Sequence, residues 1–352
     1  MKTIKHSSDR ISWIAILQGM ATVLVVMNHV RLYDATTGTD FLFVHRIREV
    51  FQPFFMATFF FVSGMLLYRT RICIRCGVGT FYKDKAMRLV VPLLFCTVLG
   101  CAMQAVFNGV VKHPKEVGLD TFLYALVDYD STPWPHRWYL ISLVWLMLLY
   151  PCYLYVSKGG MVAEVIAGVV AIVAYFVDFT DWVDVNWCYL FTLNKHLPFF
   201  LLGIVTYKYW LHKSGTCDWC REIGVGKCWV MNICCWAVYC ALYVFTSHDE
   251  PWWLLKSVVG VAAITSTSMI LAECMPRLFS SFRNYIFPIY LFGIAFQAFV
   301  ELILWRKLGC PNQLVYVFYV LNVLAGIYLP VLMSQILSRI PVRLLRRCFG
   351  LS

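Results

Sequence analysis

Apolar and polar positions alternate in blocks along this chain: long apolar runs, then short polar links. The runs lie near residues 11–30, 50–68, 89–111, 138–156, 160–177, 196–211, 228–246, 252–272, 284–305 and 313–337. Most are long enough to cross a hydrocarbon layer of about 30 Å as a helix. Helices are expected because backbone polar groups in lipid must be satisfied within each segment. A closed barrel would show short alternating segments instead. The pattern predicts an all-α fold, a polytopic membrane bundle of about ten transmembrane helices, in one domain over residues 1–352. The first run lacks a small-residue cleavage site and reads as a span rather than a removable signal.

Composition supports this. The chain is 61% hydrophobic and only 14% charged, more apolar surface than a soluble interior can hide. Charge then sets orientation. With the N-terminus in the cytoplasm, 20 of the 30 basic residues fall on the inner side. They include Arg69, Arg71, Arg75, Lys83, Lys85 and Arg88 in a basic inner loop at 69–88, and Arg343, Arg346 and Arg347 in the tail. The outer links carry acids instead, among them Asp128, Asp130, Asp178, Asp181 and Asp184. The positive-inside bias places both termini in the cytoplasm, and the expected location is the plasma (inner) membrane, as a multi-pass chain. The net charge of +11 is a topology signal, and nucleic acid is not an expected partner.

Among the 15 cysteines are two C-x-x-C pairs, Cys73–Cys76 and Cys217–Cys220. Both fall on the reducing side of the membrane, and a shared zinc site would need them to meet across more than 140 residues. The expected reading is small apolar filler, with no metal.

The candidate chemistry begins in the first run, which closes on Asn28 and His29. A neutral imidazole at the outer end of a span can take a proton from a hydroxyl nucleophile. Gln18 lies about three helical turns below it on the same face. Ser63 and Gly64 in the second run allow close helix approach. Lys85 and Arg88, spaced i, i+3, share a face at the cytoplasmic mouth and suit a phosphorylated ligand. The outer segment 178–195 mixes acids with Trp182, Trp187 and Tyr189, which suits sugar rings as well as an interfacial belt. Lys195 and His196 open the sixth run at the outer interface. Glu164, Lys256 and Glu301 are the few charges inside spans, each near a helix end.

Taken in order, these pieces resemble the acyltransferase-3 type of integral membrane acyltransferase, the group containing bacterial sugar O-acetyltransferases. Its first span often reads W-I-D-I-A-K-G, then an apolar run and a histidine; here Trp13–Gly19 and His29 stand in that order. Its M-P-x-F-F-x-x-S-G matches Met56–Gly64, with Phe59, Phe60, Ser63 and Gly64 in register, its basic pair before the third span matches Lys85 and Arg88, its W-F/Y-L matches Trp138-Tyr139-Leu140, and its P-F-F-L-L-G matches Pro198–Gly203. Three positions depart from the pattern. Gln18 stands where Arg or Lys is usual, Ala15 where Asp is common, and Gly293 where Y-L-x-H would put a histidine.

The resemblance implies transfer of an acyl group, most often acetyl, from cytoplasmic acyl-CoA to a hydroxyl of a surface glycan or lipid-linked precursor. It implies His29 as general base, with Gln18, Ser63, Lys85, Arg88 and Trp138 as substrate-binding residues. Acyl-CoA would be a co-substrate, with no resident cofactor; the surrounding partner is membrane lipid. Two other readings compete: a glycan transporter or polymerase of a polysaccharide pathway, and a catalytically degenerate relative of the acyltransferases. Binding of acetyl-CoA separates both from the enzyme.

Overall fold

The computed structural model describes residues 12–33, 40–70, 72–108, 118–128, 137–183, 187–211, 224–307, 309 and 311–351. Arg71, Cys217 and Cys220, Asp130 and Asp184 lie outside the described residues. In chain order the helices are α1 (Ser12–Asn28), α2 (Leu42–Thr70), α3 (Ile72–Lys85), α4 (Val91–Phe107), α5 (Leu119–Val127), α6 (Trp138–Val156), α7 (Gly160–Tyr175), α8 (Leu197–Thr206), α9 (Val225–Phe245), α10 (Glu250–Cys274), α11 (Ile286–Val300), α12 (Val315–Ser338) and α13 (Arg343–Cys348). The described residues contain no strand, only two isolated bridges, Tyr33 to Asp40 and Asp128 to Trp187.

Each of the ten apolar runs is helical over most of its length. Among the described residues seven stretches are long and apolar enough to cross a membrane, and the protein is a membrane-embedded helical bundle. One of the seven, Trp138–Tyr175, has 38 residues. As a single helix it would reach about 57 Å, nearly twice a bilayer's apolar thickness. It breaks instead at the tight turn Ser157–Gly159, where Gly160 takes φ +80°, a conformation that glycine adopts at little cost. Helix α7 then packs back on α6.

The basic inner segment differs from expectation. Residues 69–70 and 72–88 form not a loop but the end of α2, then α3, then a wide π turn, Ala86–Val90, leading into α4. Helix α3 is mostly exposed, with Cys73 and Phe81 buried. Its polar sequence has too little apolar periodicity to announce a helix.

Helix α2 is the centre of the bundle and touches α1, α8 and α10. Its tightest partner is α8. A Cβ on Gly64 would strike the Phe200 carbonyl, and a Cβ on Gly203 would strike the Phe61 carbonyl. Two glycines thus let two backbones meet directly, the arrangement that dispersion packing rewards in lipid. Around it lie buried aromatics: Phe54 against Tyr239, and Tyr139 against Phe60 and Tyr290.

The charges inside the spans have local partners. Lys256 donates to the Ser247 carbonyl at 2.8 Å and to that of Thr246 at 3.4 Å. These carbonyls follow the C-terminus of α9, where a cation is favoured. Glu164 accepts from Lys208 at 2.6 Å, Tyr209 at 2.6 Å and Tyr153 at 2.9 Å. A buried carboxylate with this many donors is satisfied.

Candidate active site

The C-terminal turn of α1 holds His29. Its Nδ1 lies 2.7 Å from the Val25 carbonyl. A carbonyl only accepts, so in the neutral ring the proton sits on Nδ1 and the lone pair on Nε2. The adjoining backbone is clamped from α2. Arg48 donates to the Val30 carbonyl at 3.0 Å and pairs with Asp40 at 2.7 Å. From α11, Gln297 donates to the Val26 carbonyl at 2.9 Å, and from α12, Asn322 donates to the Gln297 carbonyl at 3.1 Å. Four elements therefore fix where the imidazole sits.

This end of α1 is unusually polar for a membrane interior. Six buried polar atoms here have no hydrogen-bond partner among the described residues: Asn28 Oδ1, Asp40 Oδ1, Arg48 Nε, Gln297 Oε1, Asn322 Oδ1 and Tyr319 Oη. Each such atom costs about 1–3 kcal/mol when unsatisfied. A cluster of them beside an imidazole suits a ligand rich in hydroxyl groups, or water.

Below His29 the bundle closes. Thr22, one turn above Gln18, donates to the Gln18 carbonyl at 2.7 Å. Thr22, Val25, Val26, Phe59, Ile289, Tyr290 and Ile294 surround a cavity of 10 Å³, about the room of one water. The middle of the bundle is therefore packed. Gln18 is half-buried and brings no charge. A buried cation stands elsewhere. Arg137, counted from the sequence as an outer-loop residue, is 3% exposed. It donates to the Thr97 hydroxyl and to the Ala125 carbonyl, with Tyr290 within its electrostatic reach. No periodic signal marks it, because it precedes α6 by one residue.

The remaining expected residues fall into two further groups. Ser63 on α2 bonds the Tyr139 hydroxyl at 3.0 Å. Trp138 stacks near His196 at 5.1 Å, and Phe60 lies against the same ring at 4.4 Å and 12°. Tyr189 adds a parallel ring 6.2 Å away. His196 is thus enclosed by aromatics instead of marking the interface, and its Nε2 has no partner among the described residues. Tyr189 was expected at the surface with Trp182 and Trp187. The two tryptophans are exposed, at 72% and 58%, whereas Tyr189 turns inward to Trp138 at 5.5 Å.

Lys85 and Arg88 sit at one mouth of the bundle. Both face Asp84, Arg88 through Nε at 3.0 Å and Lys85 at 4.0 Å. Arg88 lines a recess of 450 Å³ with Asp84, Asn284, Phe287, Pro288 and Arg347. That volume is within the usual range for a small-molecule site. The mouth and His29 lie at opposite ends of α11, whose Phe287 lines the recess and whose Gln297 reaches α1.

The departure at Gly293 has a packing reason. A Cβ there would lie 2.7 Å from the Gly326 carbonyl oxygen of α12. An imidazole at 293 would force α11 and α12 apart. Gly293→His is expected to lower stability by about 1–3 kcal/mol, as overpacked interiors do, read as a fall in the thermal midpoint of purified protein. An unchanged midpoint would show that the contact yields.

Among the described residues no group of three His, Cys, Asp or Glu is placed to hold a metal ion, and Cys73 and Cys76 are free thiols. No curated protein and no solved structure matches the chain. The family model described as an acyltransferase domain, of the acyltransferase-3 type, matches residues 11–334. With an ordered set of motifs now placed on one helical bundle and that match covering nearly its whole length, the chain belongs to the acyltransferase-3 family of membrane acyltransferases.

Proposed function

We propose that the protein, as one membrane domain in the plasma (inner) membrane, moves an acyl group, most simply acetyl, from cytoplasmic acyl-CoA to a hydroxyl of a surface glycan or lipid-linked precursor. The single observation that carries this is His29. Its tautomer is set by Val25, and it stands beside buried acceptor atoms suited to a polyol. The donor's phosphates rest in the recess lined by Arg88, with the charge of Lys85 beside Asp84 nearby, and its thioester arm threads between α1 and α11. Because the middle is packed, the arm must displace side chains at the Thr22–Tyr290 level.

At the outer end the acceptor hydroxyl loses its proton to Nε2 of His29 as its oxygen attacks the thioester carbonyl. The new C–O bond forms, the C–S bond breaks, and the proton passes from the imidazolium to the departing thiolate. A positioned base contributes about 10²–10⁴-fold to such a step. No resident cofactor takes part, and CoA leaves as product.

The test is reconstitution. Vesicles loaded with labelled acetyl-CoA and bathed in a candidate glycan should acquire label on the external saccharide. In the same assay Arg88→Gln should raise the KM for acetyl-CoA about tenfold, the loss of one charge-assisted contact, with kcat little changed. Label on no glycan, with no binding of acetyl-CoA, would overturn the reading in favour of a transporter or an inactive relative.

A further inference from the structure

The cytoplasmic recess is completed by a part of the chain that no motif marks. Helix α13 and the residues after it fold back against the bundle. Phe349 lies against Phe95 of α4 at 4.8 Å and Phe292 of α11 at 5.2 Å. The chain reverses at Gly350, with φ +73°. The Gly350 amide donates to the Arg347 carbonyl at 2.9 Å, and the Leu351 amide to that of Arg346 at 2.8 Å. This pair of bonds with a left-handed glycine is the Schellman closure of a helix C-terminus. Glycine is required twice over, because a Cβ at 350 would also collide with the Phe287 ring. The tail is therefore docked in a defined position.

Docking puts Arg347 into the wall of the 450 Å³ recess, which Gly350, Leu351, Arg88 and Asn284 also line. Arg88 spends its Nε on Asp84, which leaves its two terminal amino groups for another acceptor. Arg347 is exposed to solvent and lies far from Arg88 in sequence, so the recess joins two guanidiniums from distant parts of the chain. Asp84 takes back one charge, but Lys85, Arg88 and Arg347 leave the mouth cationic. Guanidinium groups present planar pairs of donors that fit phosphate oxygens.

We infer that Arg347 is a donor-binding residue: with Arg88 it grips the phosphates of the acyl-CoA nucleotide, and the docked tail is part of the donor site. This rests on the proposed acyl-CoA reading and adds to it a ligand contact outside the basic pair of α3 and its π turn.

The experiment is calorimetric titration of CoA into full-length protein in lipid nanodiscs, for wild type, Arg347→Gln, Arg347→Lys and, as a surface control, Arg277→Gln. Arg347→Gln should bind CoA about tenfold more weakly, the value of one charge-assisted contact. Arg347→Lys should recover part of the loss, since the charge remains but the fork is gone. Arg277→Gln should match wild type. Gly350→Val, which undocks the tail without touching a cation, should weaken CoA to a similar degree. Tight CoA binding by wild type with no change in Arg347→Gln would overturn this inference and leave the acyl-CoA reading standing. No CoA binding by wild type would overturn both.

Discussion

His29→Ala protein, reconstituted with acetyl-CoA inside the vesicle, is expected to acetylate an external glycan about 10²–10⁴-fold more slowly than wild type. It should unfold at nearly the same temperature. The backbone around position 29 is held by Arg48 at the Val30 carbonyl and by Gln297 at the Val26 carbonyl, and both contacts survive removal of the ring. His29→Gln is the sharper variant. Its amide can still donate toward Val25, so it keeps the hydrogen bond and loses only the basic nitrogen. The two variants should be equally slow. Arg48→Gln should be slowed less, about tenfold, because it loosens the clamp without removing the base. Acetylation by His29→Gln at the wild-type rate would remove the imidazole from the chemistry. Equal losses in His29→Gln and in thermal stability would make the ring structural.

What could be read from the sequence divides along a physical line. Helices and their polarity were legible, because lipid forces every spanning segment to be apolar and self-bonded and charge sorts the loops. His29, Lys85 and Arg88 were legible as candidates because each sits at a helix end with a recognisable neighbour pattern. Long-range meetings were not. Arg347 joins the mouth only through the turn at Gly350, and nothing in the periodicity of the tail forecasts where that turn leads. His196 looked interfacial by position, yet its ring is taken up by Phe60 and Trp138, which come from α2 and α6. Arg137 looked like a loop cation, but the Thr97 hydroxyl and the Ala125 carbonyl draw it inside. Helix α3 was missed because its exposed, basic surface carries no apolar stripe. The expected passage from mouth to imidazole was also too open: side chains fill the level of Thr22 and Tyr290 and leave 10 Å³.

The largest structural effect is expected at Gly203. Two of the segments that resemble the family, Met56–Gly64 and Pro198–Gly203, turn out to be the two sides of one contact. Gly64 faces the Phe200 carbonyl and Gly203 faces that of Phe61. In lipid there is little hydrophobic drive to hold α2 on α8, so the contact depends on close backbone approach. Gly203→Val puts a branched side chain where there is room for a hydrogen. Neither carbonyl can step aside without breaking its own helix. The expected cost is on the order of 4 kcal/mol or more, the range of severe overpacking, seen as aggregated protein on size-exclusion chromatography in detergent. Ser63→Ala on the same helix is the comparison. It removes the bond to Tyr139 at about 1 kcal/mol and should leave a folded protein. The difference matters for catalysis, because α2 carries both Phe60, which covers His196, and Arg48, which clamps the backbone next to His29. If α2 shifts off α8, the aromatic stack and the base move together. A Gly203→Val protein that stays monodisperse with a wild-type thermal midpoint would show that the two helices are held by other contacts and that the glycine pair does not set their distance.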